Sequence, residues 1–183
     1  NTGLLATIGT LNIRLRRYGM AISLLHRALE KTSESDVICN LAVAYKFSGQ
    51  YDKAHHYFNK AVEKDPSAES LANYSSLFVN VGTPEEGIKI ADKALALDAH
   101  NAMAHWNKSQ ALLECGMWET AWDEHEWGFK ARMRIDRIVG GKPRWDGTPG
   151  KTIVVYGEQG IGDEIMFSSM LPDLMRENTV ILE

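Results

Sequence analysis

The stretch SDVICNLAVAYKFSGQYDKAHHYFNKAVEKDPS, Ser35 to Ser67, is the clearest copy of a pattern that recurs along the chain. It holds two apolar-periodic segments split by Phe47-Ser-Gly-Gln50 and closed by Asp65-Pro66, which reads as helix, turn, helix, stop. Small residues recur in phase with it: Gly9, Ala42, Ser75 and Ser109; Ala21, Ala54, Gly87 and Ala121; Ala28, Ala61, Ala94 and Gly128. Bulkier positions keep the same phase, as Asn12, Tyr45, Phe78 and Leu112, and as Tyr18, Tyr51, Pro84 and Trp118. Each series steps by 33, 33 and 34 residues, so one residue is inserted before the fourth unit. Self-similarity at a fixed period of this length signals a stacked repeat. Small side chains let the two helices of a unit approach closely, and the bulky ones fill the gap to the next unit.

Composition is compatible with such an array. Apolar residues make up 44% of the chain and charged residues 24%, enough for a real core. A net charge of −4 offers no general attraction to nucleic acid or to an anionic membrane. Residues 130–151 are locally basic, with Lys130, Arg132, Arg134, Arg137, Lys142, Arg144 and Lys151 against Asp136 and Asp146. Residues 152–183 carry Arg176 alone against six carboxylates. Trp145 is the sole aromatic of the basic stretch, too little interleaving for base stacking, so no nucleic-acid partner is expected. No apolar run reaches the ~20 residues of a membrane helix. Cys39 and Cys115 fall in different units, which favours a reducing compartment, and cytoplasmic is the default location. The chain opens at Asn1 without a Met, so further residues are expected before it.

The unit from Ser35 to Ser67 resembles the tetratricopeptide repeat almost residue by residue, through Leu41-Ala42, Tyr45, Gly49, Tyr51, Ala54, Phe58, Ala61 and Asp65-Pro66. The resemblance covers roughly residues 2–132, in units of about 2–34, 35–67, 68–101 and 102–132. Arg16, where a turn glycine is usual, and Gly128, where alanine is usual, depart from the pattern in the first and last units, as end units do. It implies a mostly α fold: a solenoid of four helix pairs whose first helices line a concave groove. Asn40, Asn73 and Asn107 recur there in register, with Thr7 at the corresponding place in the first unit. An amide both donates and accepts, so a ladder of them can hold an extended peptide backbone. These residues are similar to the asparagine ladder of the repeats in O-linked N-acetylglucosamine transferase. The alternative is that asparagine merely suits the helix pair. Lys46 and Lys108 form only an incomplete version of the clamp that some co-chaperones use for acidic C-termini.

Metal chemistry is not expected, because His55 and His56 point about 100° apart on a helix and His100, His105 and His125 show no ligand spacing. Trp118, Trp122 and Trp127 read as one tryptophan-rich last helix, a docking surface for the C-terminal part of the chain or a site of homo-oligomer pairing.

After a basic linker at 133–150, Thr152 to Tyr156 reads as a buried strand. Gly157-Glu-Gln-Gly-Ile-Gly162 then turns the chain, Asp163 is a natural N-cap, and Pro172 should restart the helix up to Glu177. Thr179 to Leu182 reads as a second strand, giving a β-α-β crossover. Glu158, Asp163 and Glu164 would repel a phosphate at that turn. Residues 160–172 resemble the opening loop and helix of heptosyltransferase-like GT-B glycosyltransferases. The resemblance implies that residues 151–183 are the N-terminal fragment of a Rossmann-like domain. It also implies Asp163 as catalytic base, with Gly157, Glu158, Gly160 and Gly162 forming the acceptor loop. A nucleotide-sugar donor is implied for a longer enzyme only, and no cofactor for this chain. Two readings result: a peptide-binding scaffold acting as the recognition arm of a glycosyltransferase-like protein, or a stand-alone interaction module whose α/β tail is a cap.

Overall fold

The computed structural model describes residues 2–134, 141, 143–157, 165 and 168–183, which divide into two compact units, Asn1–Ala131 and Arg132–Glu183. The first unit is helical: α1 (Thr2–Arg14), α2 (Tyr18–Leu29), α3 (Ser35–Phe47), α4 (Tyr51–Lys64), α5 (Ala68–Asn80), α6 (Pro84–Leu97), α7 (Ala102–Glu114) and α8 (Trp118–His125). Each consecutive pair forms a hairpin, and the first helices of neighbouring pairs also pack on one another.

All four hairpin turns close in the same way. The second residue past the helix cap donates its amide five residues back: Arg17 to Asn12, Gln50 to Tyr45, Thr83 to Phe78 and Met117 to Leu112, at 2.9–3.0 Å. This is the Schellman closure, which needs a left-handed residue just before the donor. Gly49, Gly82 and Gly116 supply it at φ 76°, 75° and 73°, whereas the first unit places Arg16 there at φ 58°. A side chain in that conformation costs about 1 kcal/mol that glycine avoids.

The small-residue series lies at the helix contacts. Ala21, Ala54, Ala121, Ala28, Ala61, Ala94 and Ala42 are buried, with Leu25, Phe58, Leu41 and Ile38 filling the spaces around the first two pairs. At Gly9 a Cβ would lie 2.8 Å from Cγ of Leu25, and at Gly87 one would lie 3.1 Å from the carbonyl oxygen of Ser75. Backbone and core side chain therefore meet directly at these points. Helix starts are locally capped where the sequence allows. The Ser67 hydroxyl accepts from the Ser70 amide at 3.2 Å, and Asn101 Oδ1 accepts from the Ala104 amide at 2.9 Å.

The last helix differs from the sequence expectation. Trp118, Trp122 and Trp127 were expected on one helix, but α8 ends at His125 and Trp127 lies in the 3-10 turn Glu126–Gly128. Gly128, a poor helix former, stands at the close-packed position, and Trp127 stacks on His105 with ring centres 4.0 Å apart. Trp118 and Trp122 are exposed.

In the second unit β1 (Thr152–Val155) and β2 (Thr179–Leu182) form a two-stranded parallel sheet, Thr152 opposite Thr179 and Val155 opposite Leu182. Helix α9 (Leu171–Glu177) precedes β2, with Pro172 in its first turn as the proline rule requires. The sheet is extended by bonds from the Thr179 amide to Lys151 O and from the Lys151 amide to Asn178 Oδ1. The described residues of this unit thus give two parallel strands and α9, which do not by themselves establish the Rossmann-like segment expected from the sequence.

Two alanine substitutions should move stability in opposite directions. Gly19→Ala, with open space around the new methyl, should stabilise by about 0.5 kcal/mol through helix propensity. Gly9→Ala should destabilise by about 1 kcal/mol, because overpacking against Leu25 outweighs that gain. Thermal melts of the two variants check the signs.

Candidate functional site

The first helices α3, α5 and α7 bring the predicted asparagines into one row. Asn73 Nδ2 points to Cys39 Sγ at 3.8 Å, and Asn107 Nδ2 donates to Ala72 O at 2.7 Å. Each amide thus reaches the residue preceding the asparagine of the unit before it. Asn40 and Asn73 are half-buried, whereas Asn107 is 9% exposed and its donor is engaged inside the array. Thr7 donates to its own helix at Gly3 O, 2.9 Å.

Beside this row Lys46 of α3 donates to Ser76 Oγ of α5 at 2.6 Å, and its ammonium lies 4.5 Å from the centre of the Phe47 ring. Burial pushes the Lys46 amine down to about 8, with a small opposing influence from Cys39. Burial also pushes the Cys39 thiol up to about 11, so it stays protonated and unreactive near neutrality. Asn40, Asn73, Lys46 and Ser76 therefore make a polar strip on half-buried helix surface, with donors and acceptors but without a fixed charge pair.

A second polar cluster is structural. Glu124 of α8 takes Lys108 Nζ at 3.1 Å and His105 Nδ1 on its other oxygen, while Asp92 of α6 binds Lys108 at 2.8 Å. Burial opposes charge on Lys108, but its bonds to Asp92 and Glu124 prevail and hold its ammonium above the ordinary lysine range. The cluster ties α6, α7 and α8 together, and it occupies Lys108, one of the two lysines considered for a carboxylate clamp. His26 bonds the Tyr45 hydroxyl at 2.7 Å and His55 packs edge-on to Tyr74, so these histidines serve helix contacts. Among the described residues no group of three His, Cys, Asp or Glu side chains is arranged to hold a metal, and no helix is long and apolar enough to cross a membrane.

In the second unit Gly157 follows β1. Glu158, Gly160, Gly162 and Asp163, predicted as acceptor loop and base, lie outside the described residues. Sequence reasoning missed Ser76 and the His105–Glu124–Lys108–Asp92 cluster, whose partners stand 16–19 positions apart without a shared motif.

The family model of the tetratricopeptide repeat matches residues 35–68, and that unit is a tetratricopeptide repeat. Solved structures show the fold of the whole array. A thermophilic repeat protein of Thermus thermophilus superposes with a TM-score of 0.67 at 17% identity, covering 71% of this chain and 74% of its own. MamA aligns at 0.59 and 13% identity over 73% of this chain and 79% of its own. YrrB, described as a repeat protein with an unusual peptide-binding site, aligns at 0.55 and 18% identity over 68% and 71%. The helical array thus has the fold of tetratricopeptide-repeat proteins, with one unit matching the repeat model itself. Among curated proteins, FlbA of Caulobacter vibrioides is 28% identical over 170 residues, 88% of this chain. The chain spans 28% of the length of FlbA.

The half-buried Lys46 makes a pH-dependent prediction. Below about 8 Lys46 is protonated both folded and unfolded, so the folded chain bears the full desolvation cost; between 8 and 10.5 the folded amine is neutral and the cost fades. Lys46→Met should therefore stabilise near neutral pH by about 1–2 kcal/mol, discounted for partial exposure. The margin should shrink as the pH rises through that window, read by denaturant titration.

Proposed function

We propose that this protein binds an extended segment of a partner protein along the strip formed by Asn40, Asn73, Lys46 and Ser76 on its first helices. The carrying observation is the placement of Asn73 and Lys46, which present half-buried donors and acceptors at consecutive levels of the stack. Such groups are preorganised, so a peptide backbone that pairs with them orders few side chains on binding. Asn107 contributes as a wall of the strip, its amide N–H2 being held by Ala72. The peptide-binding site of YrrB, on the same fold, supports the reading by likeness. Exposed Trp118 and Trp122 support pairing of two copies through the last helix. The free thiols of Cys39 and Cys115 suit the cytoplasmic location in this proposal.

A second reading extends the first: the scaffold is the recognition arm of a glycosyltransferase-like protein. The one observation in its favour is the parallel β1–β2 pair. Asp163 as base and a nucleotide-sugar donor belong to that reading alone. It expects nucleotide-sugars to raise the thermal midpoint only of a form carrying further α/β sequence; no shift in such a form would remove it.

Peptides selected on an array against this 183-residue chain and then titrated provide the test of the strip. Asn73→Ala should weaken a selected peptide several-fold, about 1 kcal/mol for one hydrogen bond, and leave the fold intact by circular dichroism. Unchanged affinity would remove the strip as the binding surface.

A further inference from the structure

The repeat supplies its own internal control, because equivalent positions of each unit occupy equivalent places in the helix pair. At the seam between the first two turns, Ile13, Arg14, Arg16 and Tyr18 line a cleft of about 490 Å³ with Phe47 of the next unit. Tyr18 and Phe47 stack with ring centres 5.8 Å apart. One period further on, Arg14, Arg16, Tyr18 and Phe47 are replaced by Phe47, Gly49, Tyr51 and Asn80. One period beyond that they become Asn80, Gly82, Pro84 and Glu114. The first seam alone combines two guanidinium groups with two facing aromatic rings, and the third carries the opposite charge.

Arg16 marks this seam in a second way. The turn works with glycine in the other three units, yet here it holds an arginine at φ 58°. A conformational cost retained at one position out of four points to use of the side chain. Among the described residues Arg14, Arg16 and Arg17 make no ion pair. Unneutralised guanidinium groups at the edge of an aromatic cleft match carboxylates in bidentate geometry, and the rings offer an apolar surface for one side chain. The Lys46 ammonium over Phe47 connects the cleft with the strip on the first helices.

We infer that this cleft docks an acidic internal segment of a partner protein, inserting one aromatic or large apolar side chain beside Tyr18 and Phe47 while flanking carboxylates pair with Arg14 and Arg16. The inference deepens the peptide-binding reading by assigning chemistry to the peptide, and it uses residues that the strip does not.

The test is fluorescence anisotropy of the whole chain with a labelled peptide Glu-Asp-Phe-Glu-Asp, its ends blocked, and with the charge-reversed Lys-Arg-Phe-Lys-Arg. The acidic peptide should bind, with affinity falling as salt rises, and the basic one should not. Arg16→Gly restores the residue of the other turns, so its thermal midpoint should equal or exceed the parent's while affinity drops by roughly tenfold or more. Phe47→Asn, the residue of the third unit, should lower affinity likewise, and Asn73→Ala should leave this short peptide unaffected. Undiminished binding by Arg16→Gly, equal binding of the basic peptide, or displacement by a single-stranded oligonucleotide at lower concentration would each overturn the inference. Loss on Asn73→Ala alone would overturn it while leaving the strip in place.

Discussion

The close approach of paired helices at residues without bulk is the constraint on which the array depends. Where Gly9 meets Leu25 a single methyl has no room, and where Gly87 meets the Ser75 carbonyl it fits only if the neighbour gives way. Alanines at 21, 54, 28, 61 and 94 satisfy the same demand with no exposed surface. Once the pairs are this close, Leu25, Leu41 and Phe58 can fill the remaining space without voids. The stacking of one pair on the next comes from that shape, and with it the row of first helices on which Asn40, Asn73 and Lys46 sit.

Polar groups are used sparingly and locally within this frame. Asn107 and Asn73 reach back to the preceding unit, Lys46 reaches forward to Ser76, and Glu124 gathers Lys108 and His105 around the last pair. Those bonds set the register between layers that apolar packing alone leaves loosely specified. In the proposed binding mode the same side chains, where half-buried, would also meet the peptide, so that stacking and recognition would draw on one set of donors.

Periodicity was the legible part. Residues 9, 42, 75 and 109, or 21, 54, 87 and 121, announce the helix pairs because the packing demand repeats with the chain. Turn chemistry was legible at Gly49, and Arg16 could be seen as a departure. Its cleft could not, since that needs Phe47 brought across from the next unit. The bond from Asn107 to Ala72 was hidden for a similar reason: a pattern places a residue on a face but does not say which carbonyl it finds. Tryptophan spacing misled at the end of α8, where stacking of Trp127 on His105 and the glycine at 128 override helical continuation. After Val155, only the parallel pairing of two short strands and the restart near Pro172 can be compared with expectation.

The uneven distribution of the core also bears on how the array assembles. One cluster runs from Ala21 through Phe78 and includes the whole second repeat, while a smaller one holds Leu71, Ala72, Ala94 and Ala104. In a stack whose energy is a sum over neighbours, folding begins wherever a pair and its interface are strongest and then spreads. Here that place is α3 and α4, which share their core with the helices on both sides. Formation of order should therefore travel outward from the second repeat, by contacts close in sequence and hence fast. The strained turn at Arg16 and the shortened α8 would then be the last pieces to close.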